Sequence, residues 1–137
     1  MLATLIVTTL LETLGLGPRP MTCSFVTTGP GDAAIEVVLH PRPSLKDTPG
    51  RYRVEMVVND SLKLPASAQP ITTTKGRDIM VRGVDRRDVF YTIGVDEQGN
   101  AALNVLWTKP VASAPREVTR VGTCRNHKRY IDQWLTM

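Results

Sequence analysis

The chain has 137 residues, the usual size of one domain, and such a chain can bury about two-thirds of the surface that its unfolded form exposes. It contains ten Gly and ten Pro but only 5% aromatic residues, a composition that favours many turns between short elements over a few long helices. The formal net charge is +4, from 17 basic and 13 acidic side chains, which is too small by itself to indicate nucleic-acid binding.

The amino terminus carries a short apolar run, residues 2–11. A run of about ten residues has the length of a signal-peptide core and is too short for a membrane-spanning helix of about twenty. We therefore expect residues 1–20 to be a signal peptide or short leader, with cleavage between Gly15 and Met21, and we expect no membrane span. The protein would then be periplasmic or secreted.

Some features of this leader argue against a signal peptide. No Lys or Arg precedes the apolar run, Glu12 interrupts its end, and Pro18 follows the small residue Gly17. Two other interpretations stay open. Met21 could be the true start, which would leave the protein in the cytoplasm, or the run could form a short helix packed on the domain.

Beyond Met21 the chain shows short strand patterns with turn signals between them. In residues 51–58 apolar and charged side chains alternate, which predicts a half-buried strand. The turn at residues 96–99 is the strongest hairpin signal, because Gly99 can adopt a positive φ. This spacing predicts a mainly β domain over residues 21–137, an antiparallel meander of about seven or eight strands that closes as a barrel or packs as a sandwich. The other predicted strands are residues 33–40, 78–84, 88–95 and 100–109.

Proline-rich stretches interrupt the strand patterns. Residues 40–50 and 64–70 hold five of the ten prolines, and Pro cannot donate a hydrogen bond to a strand ladder. Both stretches are therefore predicted to be loops, and residues 110–115 are a third.

The carboxyl end departs from the β pattern. In residues 125–135 four large side chains recur at spacings that place them on one side of a helix: Tyr130, Ile131, Trp134 and Leu135. The spacing predicts a short C-terminal amphipathic helix that covers an open end or edge of the sheet.

The two cysteines are predicted to form a disulfide bond. Cys23 lies in the first predicted strand and Cys124 lies where the last strand gives way to the helix, so the bond would close a loop of about 100 residues worth about 4–5 kcal/mol. A disulfide and export support each other, since disulfides persist in oxidising compartments. One alternative is two buried free thiols in a cytosolic protein. Another is a zinc site completed by His40 and His127, which the ligand spacing does not support.

No pattern in the chain carries a catalytic signature. His40 and His127 both lie among cationic residues and are interpreted as surface residues, and no G-x-S-x-G elbow is present. Residues 29–31 (GPG) predict a turn rather than a phosphate loop, because no Lys-Ser/Thr pair follows them. We expect no catalytic residue, no cofactor and no metal site. Three turn acids are interpreted as solvated loop charges: Asp85, Asp88 and Asp96.

Positive charge is concentrated near the carboxyl end, where five cations stand against the single acid Glu117. These residues form a possible patch for an anionic partner such as nucleic acid, phospholipid headgroups or an acidic protein. The favoured interpretation is a solvated cationic face whose aromatic neighbours, Tyr130 and Trp134, point into the core. The five cations are Arg116, Arg120, Arg125, Lys128 and Arg129, and the fold could add Arg82, Arg86 and Arg87.

The order of these features has a known counterpart. A short leader, a Cys in the first strand, a late Cys in Gly122-Thr123-Cys124 and a short final helix together resemble small exported bacterial β-proteins of uncharacterised function. The resemblance spans residues 21–135 and implies a fold and a compartment, but no activity. Small periplasmic protease inhibitors and lipocalin-like carriers share this architecture, although none of their motifs matches this chain.

A non-catalytic exported binding protein of barrel type is the best prediction of function. Such a monomer would bind a small molecule in the barrel mouth or a protein at its loops and termini. A small hydrolase with an unrecognised site is the first alternative, and it would require His40 or His127 beside a carboxylate in a deep pocket. The second is a binder of an anionic surface or, less favoured, of nucleic acid through the basic segment, which would require a contiguous patch with outward-facing aromatics.

Overall fold

A computed structural model describes the chain over residues 19–27, 33–42, 51–109 and 116–130. Eight strands follow one another along the chain, and a four-residue helical turn, α1, comes after the last of them. The strands are β1 (Met21–Phe25), β2 (Ile35–Pro41), β3 (Tyr52–Val58), β4 (Leu62–Thr73), β5 (Gly76–Val84), β6 (Val89–Val95), β7 (Asn100–Trp107) and β8 (Glu117–Arg125), and α1 is His127–Tyr130.

The eight strands form a closed antiparallel barrel. Each strand pairs with the next one along the chain, and β1 also pairs with β8. This confirms the predicted mainly β antiparallel meander and selects the barrel over the sandwich. Closure leaves no strand with an unpaired edge, which is the general way in which up-and-down sheets satisfy their backbone groups.

The inside of the barrel is filled by its own side chains. Residues alternate between inward and outward along each strand, so that in β6 the buried residues Val89, Tyr91, Ile93 and Val95 alternate with more exposed ones. Full burial of a large apolar side chain stabilises the fold by about 1.5–3 kcal/mol. The largest fully buried side chains are Phe25, Met21, Leu39, Met56, Ile79, Ile93, Leu103, Val37, Val81 and Val95.

The prediction of a loop at residues 64–70 is wrong, because this stretch lies inside β4, the longest strand at 12 residues. Both prolines are accommodated because each lies beyond one of the two ladders of β4. Pro65 immediately precedes Ala66, where the pairing with β5 begins, and Pro70 follows Ala68, where the pairing with β3 ends. Each proline therefore has one side that is not paired with a neighbouring strand, where a missing N–H leaves no ladder hydrogen bond unmade.

Tight turns connect the hairpins of the barrel. Asn59 and Asp60 both adopt positive φ, and the Ser61 N–H donates to the Val58 carbonyl at 3.2 Å, which forms a tight turn within the three-residue connection between β3 and β4. The predicted turn at residues 96–99 is present between β6 and β7, with Gly99 at a φ of 88°.

The barrel closes where β1 meets β8, and we call this pairing the seam. It consists of four residue pairs, and one of them places Cys23 directly opposite Cys124. The two sulfur atoms are bonded at 2.04 Å, and both cysteines are buried. The predicted disulfide is thus present, and it joins residues 101 positions apart.

Several predictions fall on the parts of the chain outside the described residues. The leader at residues 1–18 and the loop at residues 110–115 are among them, as is most of the predicted C-terminal helix, of which only the turn α1 is described. That helix stays a prediction. Among the described residues, no helix has the length and apolar character needed to cross a membrane.

Candidate interaction surface

The lumen of the barrel is filled by the hydrophobic core, and the side chains in it pack against one another. Its apolar side chains come from all eight strands, and Cys23 and Cys124 extend the same cluster to the seam. Side chains of this kind fill small barrels, whereas barrels that carry a ligand keep a cavity in the middle. A binding function therefore has to be sought on the outer surface, at the turns or at the barrel ends.

The cations of the carboxyl end do not form one continuous patch. Arg116 precedes β8 and Arg125 ends it, so nine residues of extended chain, about 30 Å, separate their positions. Arg120 lies on the inward side of β8, in register with Cys124, and is only partly exposed. Lys128 is exposed in α1 beyond Arg125, and the side chain of Arg129 lies outside the described residues.

The two histidines lie in different surroundings on the barrel. His40 lies on the outer side of β2 opposite Glu55, where burial and the nearby Arg42 charge lower the pKa of its imidazole. His127 packs on Gly99 at one end of the barrel, with its Nε2 2.8 Å from the Glu97 carbonyl oxygen. Within the part of the chain that the structure describes, neither ring is hydrogen-bonded to a hydroxyl or a thiol.

The cysteines are not available as metal ligands, because their sulfur atoms are bonded to each other. Across the described ranges, no three His, Cys, Asp or Glu side chains are grouped in a way that could hold a metal ion.

The outer surface carries a group of large apolar side chains at strand positions that face away from the core. Val84, Phe90 and Leu106 face outward on three adjacent strands and are 40%, 40% and 39% exposed. The pairing register sets Val84 opposite Phe90 and Phe90 opposite Leu106, so the three side chains lie side by side. Pro65, also exposed, continues the line on β4. We call these four residues the apolar row.

The apolar row crosses four strands. Neighbouring strands lie about 4.8 Å apart, so the row is about 14 Å long. Cross-strand apolar neighbours pack against one another, and an aromatic side chain at the centre of such a patch is typical of binding surfaces. A contiguous exposed patch of this kind is more informative than scattered surface apolar residues.

A concavity lies at one end of the apolar row. It has a volume of about 430 Å³ and lies between the start of β4 and the end of β5, where the two strands are not yet paired. Pro65 and Val84 line it together with the apolar side chains of Leu62 and Leu64. Its polar lining is Lys63, Asp85, Arg86 and Arg87.

Asp85 shapes this end of the surface. Its carboxylate accepts hydrogen bonds from the backbone N–H groups of Arg87 at 2.8 Å and Val89 at 3.2 Å, and from the Arg87 guanidinium at 3.2 Å. Burial raises the pKa of this carboxyl, but the hydrogen bonds outweigh burial and the pKa lies below its usual value. The interpretation of Asp85 as a solvated loop charge is therefore wrong, because its side chain is only 4% exposed.

Exposed cations border the apolar row. Lys63 precedes Pro65 by two residues on the outer side of β4, Arg82 precedes Val84 by two on β5, and Arg86 follows Val84 by two in the turn. None of these three forms an ion pair with an acidic side chain in the described ranges. These cations lie along the two flanks of the row, whereas an acid lies at each end, because the register sets Glu55 opposite Pro65 and Glu117 opposite Leu106.

The sequence predicts Arg82 and Arg86 as possible additions to a basic patch, but it does not predict the apolar row. The available signal was in the strand pattern itself. Residues 88–95 place Phe90 at the outward phase of a strand whose other phase is already apolar, and Val84 and Leu106 do the same in their strands. These patterns do not show that the three residues are neighbours, because only the pairing register places them side by side. Comparisons of the chain with protein-family models, with curated proteins and with solved structures found no match.

Proposed function

We propose that the chain is a non-catalytic exported binding protein whose partner contacts the outer surface of the barrel. The filled lumen is the observation that carries this proposal, since it leaves the outer wall and the barrel ends as the places where a partner can bind. The apolar row supports it, because a contiguous exposed apolar patch is a feature of surfaces that bind partners.

The disulfide supports the export part of the proposal. A bond between Cys23 and Cys124 forms and persists in an oxidising compartment, and it is compatible with a periplasmic or secreted protein whose leader has been removed. The same bond stabilises a small barrel by constraining its unfolded chain.

Native mass spectrometry of the protein isolated from its own cells tests both parts. We expect a chain that lacks about the first twenty residues, as a signal peptide predicts. We also expect a mass change on reduction that corresponds to one disulfide, and no small molecule retained under native conditions. A chain that begins at Met1 or Met21 with two free thiols would contradict export. A tightly retained small molecule would contradict binding at the outer surface.

A further inference from the structure

We infer that the apolar row is the docking surface for an acidic, amphipathic segment of a protein partner. This inference rests on the proposed function and goes beyond it by naming the surface and the chemistry of the partner. The row supplies the apolar contact, and the three bordering cations, Lys63, Arg82 and Arg86, select for carboxylates on either side of it.

The dimensions of the row set the length of the segment. About 14 Å of contact corresponds to about ten residues of an α-helix, or about four of an extended strand. The concavity beside Pro65 and Val84 has room for one large apolar side chain at the end of the segment. Phe90 lies between Val84 and Leu106 and forms the centre of the contact.

Charge distinguishes this partner from a second copy of the same chain. A symmetric dimer formed through the row would enclose Lys63, Arg82 and Arg86 of both protomers, and this excess of positive charge over the Glu117 at the end of each row opposes association in a partly desolvated interface. An acidic segment meets the same cations with opposite charge. A bare polyanion would satisfy the cations but would leave the apolar side chains in contact with water.

A peptide selection tests the inference directly. A library of random peptides displayed on phage is selected against the full, disulfide-bonded chain, and the enriched peptides are synthesised and titrated by fluorescence anisotropy. We expect the enriched sequences to combine several apolar residues with an excess of Asp and Glu. Their affinity should fall several-fold when the salt concentration is raised from about 0.05 M to about 0.5 M, because exposed charges are screened.

Substitutions within the row give the expected pattern of losses. Phe90→Ser and Leu106→Ser, each alone, should weaken the selected peptides about tenfold or more, as expected for residues at the centre of an interface. Lys63→Glu combined with Arg86→Glu should weaken them by a similar factor. Thermal unfolding of each variant verifies that the barrel is intact.

Matched controls lie elsewhere on the barrel. Val121 is 62% exposed and faces outward on β8, away from the row. Val121→Ser therefore removes an exposed apolar side chain but leaves the proposed docking surface unchanged. Lys75→Glu and Lys128→Glu reverse exposed charges at the opposite end of the barrel. These variants should bind the selected peptides as the original chain does.

Several results would overturn the inference. It fails if no acidic apolar sequences are enriched, if the selected peptides bind the Phe90 and Val121 variants equally, or if heparin competes for Lys63 and Arg86 regardless of the state of the row. It also fails if light scattering shows a dimer that Phe90→Ser dissociates, since the occupant would then be a second copy. In each case the mass-spectrometric test of the proposed function keeps its own outcome, so the two failures can be told apart.

Discussion

The seam between β1 and β8 and the wall, by which we mean β5, β6 and β7, are stabilised in different ways. The wall consists of successive hairpins, and its pairings join residues close in sequence through six and seven residue pairs. The seam joins residues about 100 positions apart through four pairs, and a covalent bond reinforces it. Closing a long loop costs more conformational entropy than forming a hairpin, so the short, long-range pairing is the one that gains most from a crosslink.

The same comparison applies to the side chains that face water. At the seam, β1 and β8 approach so closely that a Cβ at Gly122 would overlap the Ser24 carbonyl oxygen and would lie 2.8 Å from the Phe25 Cα. On the wall, a Cβ at Gly94 would meet no atom within 4 Å, and the Phe90 side chain is 40% exposed. Residues at the seam are constrained by closure, whereas outward residues of the wall are free to serve a partner.

Removing the crosslink should have the largest effect. Replacement of both Cys23 and Cys124 by Ala should lower the free energy of unfolding by about 4–5 kcal/mol, because the unfolded chain regains the freedom of a loop of about 100 residues. Urea denaturation of the variant, and of the original chain with and without reductant, measures this loss. An unchanged midpoint after complete reduction would show that the seam holds without its bond.

The close approach at the seam predicts the next largest effect. Gly122→Ala should destabilise the barrel by about 1–3 kcal/mol or more, because backbone atoms of β1 rather than a flexible side chain would have to move. Gly94→Ala is the matched substitution on the wall. It should be neutral or stabilise by up to about 1 kcal/mol, since Gly in a strand interior is entropically unfavourable. Equal effects in thermal unfolding would contradict the difference between the two regions.

Much of this fold could be predicted from the sequence, and the misses have physical causes. The strand at residues 51–58 and the turn at residues 96–99 carry local signals, and both are present. The prolines of β4 predict a loop where the structure has a strand. A period of two nevertheless runs through this strand, in Leu62, Leu64, Ala66 and Ala68. The tolerance of these prolines depends on where the neighbouring ladders end, and no local pattern reports that.

The candidate surface was less accessible than the fold. Its basic members could be named from the sequence, but the apolar row depends on which residues of β5, β6 and β7 stand opposite one another. A shift of one residue in either pairing would take Phe90 out of line with its neighbours. Register is a property of the assembled barrel, so a surface defined by register requires the structure.

The turn that supports the wall predicts a pH-dependent effect. Asp85→Asn should cost about 1–2 kcal/mol near neutral pH, because the charge-assisted hydrogen bonds to Arg87 and Val89 weaken. The pKa of Asp85 is lower in the folded than in the unfolded chain, so its contribution is complete above the unfolded pKa of about 3.9 and is lost as the pH falls through the folded pKa.

Urea denaturation of both proteins at several pH values measures this difference. The difference in free energy of unfolding between the original chain and the Asp85→Asn variant should become smaller as the pH falls below about 4. Asp88→Asn is the control within the same turn, since Asp88 is exposed and its carboxylate pairs with the exposed Lys109 at 3.3 Å. It should change stability by less than about 1 kcal/mol. A gap for Asp85→Asn that stays constant with pH would show that the carboxylate charge does not contribute.

The smallest expected effect is the most informative about the wall. Phe90→Ser should lower the free energy of unfolding by only about 1 kcal/mol, because it removes cross-strand contacts with Val84 and Leu106 but leaves no cavity inside the barrel. Ile93, three positions along the same strand, faces the lumen and is fully buried, so Ile93→Ala should cost about 2–5 kcal/mol. Chemical denaturation of the two variants separates the inner and outer phases of β6. If Phe90→Ser proved as costly as Ile93→Ala, the apolar row would be part of the core, and its exposed side chains would need no partner to explain them.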